Sequence, residues 1–429
     1  MMETLKLGTK MKIHTKKINF LLSSFLCCSS IAFADDFHYN NLLIGDRASG
    51  MGGAYTAISD DASGMFYNPA GIAYVSDRNF SASVNAYSSQ VKTYDNVIGG
   101  QPFQRKSSAL LANYFGIVKP VGNFKLGFSY AVPDAVNEDL SQTVRNVPSA
   151  TSNYDFTINL NNRDNTYNFG PSAAMTVNDS LAVGLTLYVH QRDTLIVQNQ
   201  FLARVNGTNQ WTNSYYRLSE SGLRPILGIT WSPIEKLSLG LAVSKVFLIN
   251  SSSSRQDTCV NTADTTACDP TAAPVTGFLV PTVSTFDDKR QYPTRIAVGA
   301  AYFASSNFLL STDLTYHTAV SDPVYGEKVA TLDAAVGSEY YWSKQWAIRA
   351  GVFSNVTNTP AIVAGVTNIE EHINLYGGSL SVTHFTGDSS VTLGGSLSYG
   401  VGQAQIGTSN TEVQNATALG WTMFLSSSY

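Results

Sequence analysis

The stretch Gly45–Val75 reads GDRASGMGGAYTAISDDASGMFYNPAGIAYV, and no later part of the chain repeats its pattern. Small residues crowd together without strand alternation, and a glycine-rich turn, an acidic pair and an Asn-Pro-Ala-Gly turn follow one another closely. We interpret this stretch as a plug, or hatch, that lies inside the lumen of a membrane β-barrel. The predicted hatch residues are Gly52, Gly53, Asp60, Asp61, Asn68, Pro69 and Gly71.

The rest of the chain consists of segments of about ten residues with period-two hydrophobicity, the length that a tilted strand needs to cross a membrane. In Leu237–Ser244, large apolar residues alternate with Ser, Gly, Ala and Ser. A soluble sandwich would carry charged residues on its outer face. Here the second face is small and weakly polar, as in the interior of a narrow barrel. The sequence therefore predicts an all-β fold, a transmembrane antiparallel β-barrel of about 14 strands with an N-terminal plug.

Composition agrees with a membrane barrel and excludes several classes. Charged residues make up 14% of the chain, against roughly 25% in soluble proteins.

Residues 1–34 resemble a secretory signal peptide, with five lysines before an apolar run and small residues before Asp35; Met11 is an alternative start. Without this segment, 22 basic residues face 30 acidic ones, which argues against a nucleic-acid binder. We expect the hatch to span residues 35–78 and the barrel 79–429.

Turn signals separate the predicted strands. Five short turns (119–123, 177–180, 231–236, 304–307 and 342–345) alternate with longer polar connections (134–152, 198–214, 250–274, 319–328 and 355–371). Short periplasmic turns and long external loops are typical of outer-membrane barrels. Cys259 and Cys268 fall in one predicted external loop, where a disulfide is favoured over a metal site because no histidine lies nearby.

The last segment, Leu419–Tyr429, has large residues on one face and ends on an aromatic residue. It resembles the signal by which the barrel-assembly machinery recognises bacterial outer-membrane proteins. The alternative is an ordinary strand whose Tyr429 lies at the membrane interface.

Two stretches resemble the FadL family of outer-membrane long-chain fatty-acid and hydrophobic-compound transporters. The first runs from Ala48 to Gly71, and the second from Tyr292 to Thr359, where Pro293 leads a strand and Arg349-Ala350-Gly351 precedes an external loop. The resemblance implies a fourteen-stranded barrel with an internal N-terminal hatch. It also implies passive inward movement of fatty acids or aromatic hydrocarbons without a cofactor. The cysteine-bearing loop departs from the family pattern.

No catalytic or metal-binding arrangement stands out. Asp60-Asp61 could form an acid–base pair, but a turn or cap inside the plug is favoured. Gly50–Tyr55 lacks the third glycine of a dinucleotide loop. His190, His317 and His384 are single histidines on strands. We expect neither an enzyme, a cofactor nor a metal.

Three charged residues, Arg295, Asp313 and Arg349, fall on the small-polar phase of their strands. A charge facing lipid would cost about 2–4 kcal/mol, so we expect all three to face the lumen. Salt bridges that hold the plug are favoured, and the alternative is that one arginine binds a substrate carboxylate.

The leading hypothesis is passive uptake of long-chain fatty acids or other hydrophobic compounds through a plugged barrel in the bacterial outer membrane. We expect a monomer that contacts hydrophobic small molecules and outer-membrane lipids. The alternative is a non-transport barrel that acts in adhesion or as a secretion-system component. No nucleophile–base arrangement supports a hydrolase.

Overall fold

The computed structural model describes residues 36–75, 79–149, 152–205, 207, 209–261, 282–365, 371–406 and 412–429. The predicted signal peptide and Cys268 lie outside these ranges. The elements, in chain order, are α1 (Asp46–Gly50), α2 (Gly64–Tyr67), a 3-10 helix (Pro69–Tyr74), β1 (Asn79–Ile98), β2 (Gln101–Val121), β3 (Phe124–Val147), β4 (Tyr154–Asn178), β5 (Leu181–Arg204), β6 (Asn209–Ile234), β7 (Leu237–Lys245), β8 (Phe247–Asn261), β9 (Thr282–Phe286), β10 (Thr294–Ser305), β11 (Phe308–His317), β12 (Val320–Asp322), β13 (Gly326–Lys328), β14 (Thr331–Ser343), β15 (Trp346–Asn355), β16 (Glu371–Phe385), β17 (Ser390–Ala404) and β18 (Gln414–Ser428). In the described part of the chain, no helix has the length and hydrophobicity that a membrane-spanning helix requires.

Fourteen of these strands form one closed antiparallel ring. The ring runs from β1 through β7 and then through β10, β11 and β14 to β18. Pairing of β1 with β18, from Ser81↔Ser428 to Tyr94↔Ala416, closes it. Strands β8 and β9 extend the sheet from β6, and β12 pairs only with β13. The predicted all-β barrel of about 14 strands is confirmed.

Side chains alternate between the two faces of the wall as the sequence predicts. In β11, every second residue is buried. The outward residues Leu310 and Leu314 are 45% and 50% exposed, whereas the inward Ser311 and Thr315 are buried. Large apolar residues outside and small polar residues inside are the arrangement expected of a barrel in lipid.

The predicted loop lengths are partly wrong. The five short turns coincide with the junctions between paired strands, as at Val121 and Phe124. However, β3 continues to Val147 and β4 begins at Tyr154, so most of the predicted loop 134–152 is strand. The segment 198–214 is likewise mostly strand, because β5 ends at Arg204 and β6 begins at Asn209.

These strand extensions have an apolar inner face. Phe156, Ile158, Leu160 and Ile196 are buried there in two hydrophobic clusters that include residues of neighbouring strands. Their outer faces carry polar residues such as Asn159, because beyond the membrane the outer face meets water. Because of these polar outer residues, the two segments have the composition of loops, and this is why the sequence predicts loops where the structure has strands.

Two parts of the N-terminal segment lie against the inner wall. We call Asp36–Leu43 the strap and Gly45–Val75 the hatch. Gly240 and Gly337 show how closely the hatch approaches, because a Cβ on either would collide with the backbone carbonyl oxygens of Thr56 and Met51. A Cβ would also meet hatch backbone at Gly184, Gly299 and Gly351, and hatch side chains at Gly127 and Gly228. These contacts are consistent with the predicted plug.

Replacing Gly351 with Ala should loosen the hatch without preventing barrel assembly. The new Cβ would meet the backbone of Met51 and Gly52, and overpacking of this kind costs about 1–3 kcal/mol. We expect the variant to keep its folded mobility on unheated gels but to show faster proteolysis within residues 45–75. Gly378→Ala on the adjacent β16 is the matched control, because its Cβ would have only an ordinary 3.4 Å contact with the Gly351 carbonyl oxygen. Equal protease resistance in both variants would contradict the close packing.

Candidate functional site

A cavity of about 230 Å³ lies inside the barrel, between the strap, the hatch and the wall. The strap and hatch contribute the apolar side chains of Leu42, Leu43 and Phe66 together with the polar residues Asp36, His38 and Asn40. The strands contribute polar and charged side chains, which we call the polar band: Asn168, His190 and Arg192, Arg224, Ser244, Arg295, and Asp313, Thr315 and His317. The cavity is therefore amphipathic.

Arg224 and Arg295 stand out in this band. Within the described chain, neither forms a salt bridge or a side-chain hydrogen bond, and Arg295 Nη1 is buried without a partner. The Arg224 guanidinium lies over the ring of Phe66, 4.9 Å from its centroid. Both arginines are partly buried, where a cation without a salt bridge is costly, and the carboxylates of Asp313 and Asp333 attract Arg295 only from a greater distance. The presence of these arginines beside a cavity marks a place where an anion would be bound favourably.

Arg349, the other predicted arginine, has a different environment. Its Nε lies 2.7 Å from Oε1 of Glu339, which is its cross-strand neighbour on β14. Glu339 also accepts hydrogen bonds from the hatch residue Arg47, which in turn pairs with Asp60. Arg349 does not line the cavity. Its contacts favour the salt-bridge interpretation.

The side chain of Asp313 holds the hatch by binding two backbone amides of the hatch. Its Oδ2 accepts hydrogen bonds from the amides of Tyr55 (3.0 Å) and Thr56 (2.8 Å). Gly299, its cross-strand neighbour on β10, leaves room for the approach of Thr56 and Ala57. This residue lines the cavity and also positions the hatch.

The predicted hatch residues form turns and close contacts. Gly52 and Gly53 have φ angles of 67° and 87°, a region that favours glycine. Asn68 caps the 3-10 helix, accepting a hydrogen bond from the Ala70 amide, and Pro69 occupies the first turn. Gly71 packs against the carbonyl of Ser59.

Asn68 also joins the hatch to the wall. Its Nδ2 donates hydrogen bonds to the carbonyl oxygens of Thr56 (2.8 Å) and Ile229 (3.0 Å). The two carboxylates of the predicted acidic pair have different partners. Asp60 pairs with Arg47, while Asp61 Oδ1 accepts a hydrogen bond from the amide of Ser63 (2.7 Å). Neither carboxylate lines the cavity.

The strap is held by charges that the sequence interpretation missed. Asp36 pairs with Arg192 (2.8 Å) and Arg290 (2.6 Å), and Lys328 Nζ donates to its backbone carbonyl. Burial tends to raise the pKa of Asp36, but the charges of Arg192, Arg290 and Lys328 outweigh burial and hold it well below its usual value. Arg192 is on the inward phase of β5, so the criterion that selected Arg295 would also have found it.

The wall has a gap between β2 and β3. Their pairing stops at Tyr114↔Ala131 and resumes only at Ser107↔Glu138. Pro133, which has no amide hydrogen, lies on the unpaired stretch of β3. The strap bridges the gap from inside: the Leu42 amide donates to the Pro133 carbonyl oxygen (3.1 Å), and Asn113 Nδ2 donates to the Leu43 carbonyl oxygen (2.9 Å). A second cavity of about 80 Å³ adjoins the gap between β2 and β3.

Residues 25–242 match the family described as outer membrane protein transport protein (OMPP1/FadL/TodX). The chain belongs to this family. It is therefore an outer-membrane β-barrel of the FadL/TodX type, a family of transporters for hydrophobic compounds and not of enzymes. No curated protein is significantly similar to the chain in sequence.

Solved structures show the same fold. A FadL homologue from Pseudomonas aeruginosa superposes with a TM-score of 0.64 at 15% identity and covers 91% of this chain and 99% of its own. The P. putida toluene transporter TodX gives 0.58 at 12% identity, with 90% and 97% covered. The monoaromatic hydrocarbon channel CymD gives 0.55 at 16% identity, with 91% and 98% covered. At these identities the likeness establishes the fold alone.

In the described ranges, no group of three or more His, Cys, Asp or Glu side chains could hold a metal ion. Cys259 is disulfide-bonded. Its predicted partner, Cys268, lies outside the described residues, so the pairing stays a prediction.

The hatch carboxyl group of Asp61 gives a pH-dependent prediction. Burial and the nearby charge of Asp46 raise the pKa of Asp61 to about 6, above the value of about 3.9 for an unfolded chain. Its contribution to stability is therefore full below about pH 4 and is lost as the pH rises through about 6. Asp61→Asn keeps the acceptor for Ser63 and removes the charge. We expect the variant's hatch to resist proteolysis better than wild type at pH 7.5 and equally at pH 4.5; a constant difference at both pH values would contradict the prediction.

Proposed function

We propose that this protein takes up long-chain fatty acids and related hydrophobic compounds by diffusion, with the lumenal cavity as the binding site for the cargo. The observation that carries the proposal is the amphipathic cavity itself. Leu42, Leu43 and Phe66 in its lining suit a hydrocarbon, and the same lining holds two arginines without salt bridges in the described chain. An open porin would instead have a wide aqueous channel lined by charge, whereas this lumen is filled by the hatch.

Arg295 is our candidate for the group that binds the carboxylate, with Arg224 beside it. A guanidinium presents a planar fork of donors that matches a carboxylate. Arg295 has an unpartnered buried nitrogen at the cavity, whereas the guanidinium of Arg349 is already bound by Glu339. We therefore assign the carboxylate-binding role to Arg295 and the salt-bridge role to Arg349.

The gap between β2 and β3 supplies a route out of the lumen. A hydrophobic compound leaving through the wall enters the lipid directly and avoids water. Residues 40–43 of the strap line both cavities, and Pro133 at the gap lines the larger one. Cargo would pass from the larger cavity to the gap when the strap moves aside.

The alternative, an adhesion or secretion-system barrel, has weaker support. Family membership favours transport, and the solved structures of similar fold include hydrocarbon channels and transporters. A fold does not determine cargo, however, so fatty acid is distinguished from aromatic hydrocarbon here by the two arginines.

Arg295→Met should weaken the binding of fatty acid selectively. Loss of a hydrogen bond to a charged group costs about 1.5–3 kcal/mol, so we expect the Kd of palmitate to rise by roughly 10- to 100-fold. The Kd of methyl palmitate, which has no charge, should change little. Binding is measured with purified protein in detergent, and uptake in cells that lack other fatty-acid transporters.

Arg349→Met is the matched control for this prediction. It removes an arginine of the same wall that does not line the cavity, so palmitate and its methyl ester should keep their relative affinities. Equal losses for both ligands in Arg295→Met, or a selective loss of palmitate binding in Arg349→Met, would contradict the assignment. Cells with the wild-type gene that take up no more palmitate than cells without it would contradict the proposed function.

Joining the two edges of the gap should slow uptake. Ala109 and Val136 line the second cavity from β2 and β3. When both are replaced with Cys and linked by a short bismaleimide, we expect palmitate uptake to fall severalfold while binding is kept. Each single-cysteine variant treated with the same reagent is the control. Uptake at the wild-type rate in the linked protein would argue against the gap as the exit.

A further inference from the structure

Two buried polar side chains at the cavity have atoms without partners. Asn168 on β4 and His190 on β5 are cross-strand neighbours, 0% and 3% exposed, and both line the 230 Å³ cavity. His190 Nδ1 lies 3.1 Å from Asn168 Oδ1. Among the described residues, Asn168 Nδ2 and His190 Nε2 have no hydrogen-bond partner. Such atoms are rare in folded proteins, and each calls for a ligand or a water.

The pair offers one donor and one acceptor. The amide oxygen of Asn168 can only accept, so Nδ1 of a neutral His190 carries the proton that it shares with Asn168. Nε2 is then an acceptor and Asn168 Nδ2 a donor. If the amide is turned over, Nε2 becomes the donor and the amide oxygen the acceptor. Either arrangement fits a group that both donates and accepts a hydrogen bond.

The imidazole is held in place from its other side. The ring of Tyr292 meets it edge to face, with 5.3 Å between ring centroids. Tyr292 is fixed in turn, because its hydroxyl donates a hydrogen bond to Glu220 Oε2 (3.0 Å), and Glu220 is fully buried. The two unpartnered atoms therefore belong to a preformed arrangement and not to a freely rotating side chain.

We propose that Asn168 and His190 form a subsite for an uncharged hydroxyl group, so that the cargo class includes hydroxylated hydrophobic compounds such as alkylphenols or long-chain alcohols. This inference rests on the proposed function, since it assigns a second polar group of the cargo to the same cavity. A carboxylate only accepts hydrogen bonds and matches just one of the two atoms. A hydroxyl has both a donor and an acceptor, and is therefore the class of group that complements the pair. The subsite is separate from Arg295, which lies on β10 and would bind a carboxylate.

The test compares 4-butylphenol with its methyl ether, 4-butylanisole, which has nearly the same shape but no hydroxyl hydrogen. Binding to the purified full-length protein is measured by equilibrium dialysis, with partition into detergent alone subtracted. We expect wild type to bind the phenol about five- to tenfold more tightly than the ether, the effect of one or two neutral hydrogen bonds. Equal affinities would overturn the subsite, because a water or nothing would then occupy it.

His190→Leu should remove this preference and leave the affinity for the ether within about twofold. His384→Leu is the matched control, because the His384 ring lies against Trp346, with 4.5 Å between ring centroids, and His384 does not line the cavity. His190→Gln, which keeps a donor and an acceptor, should restore part of the preference and guards against misfolding of the leucine variant. A His190→Leu protein that loses phenol and ether binding equally would show that His190 has only a packing role, and would overturn the proposal.

Palmitate binding in the same preparations separates the two proposals. If wild type binds palmitate in an Arg295-dependent way but does not distinguish the phenol from the ether, only the hydroxyl subsite fails. If wild type binds none of the three compounds, both proposals fail.

Discussion

Close contact between the hatch backbone and glycines of the wall is the constraint on which the interior depends. A barrel of fourteen strands encloses more space than its own small side chains fill. The hatch fills it by bringing its main chain, not only its side chains, against the wall at positions such as Gly240 and Gly351. Main chain buried in this way must find hydrogen-bond partners. Asp313 and Asn68 supply them to the hatch backbone around Thr56.

Charge neutralisation divides the interior into parts that hold the chain and parts that can receive a ligand. The charges that hold strap and hatch are paired: Asp36 with Arg192 and Arg290, and Arg47 with Glu339. A buried charge that loses its only partner is strongly destabilising, so such pairs fix the chain in one position. Arg224 and Arg295 have no salt-bridge partner in the described structure, so their burial is offset less completely, by the Phe66 ring for Arg224 and by the more distant carboxylates of Asp313 and Asp333 for Arg295.

The sequence was sufficient for the architecture because the signals were local. Period-two alternation, short turns and the hatch motifs each occupy adjacent residues. The roles of the charged residues depended instead on strand register. Arg295 and Arg349 both follow the same inward pattern, and only their cross-strand neighbours, Ser244 and His317 for one and Glu339 for the other, distinguish them. Asn168 and His190 lie 22 residues apart, and nothing in the sequence shows that their side chains meet.

The succession of apolar and polar surfaces along the lumen favours an amphipathic cargo. A compound arriving from outside meets the apolar inner faces of the strand extensions, where Phe156, Ile158 and Leu202 belong to one buried cluster. It then meets the polar band of the cavity, with Leu42 and Phe66 still available to its tail. A pure hydrocarbon would gain nothing from that band, because it cannot offset the cost of desolvating Arg224, Arg295 and His190. A compound with one polar head can make both kinds of contact at once. Under the proposed function, the polarity of the cavity would select among hydrophobic compounds, since apolar surface alone would admit any of them.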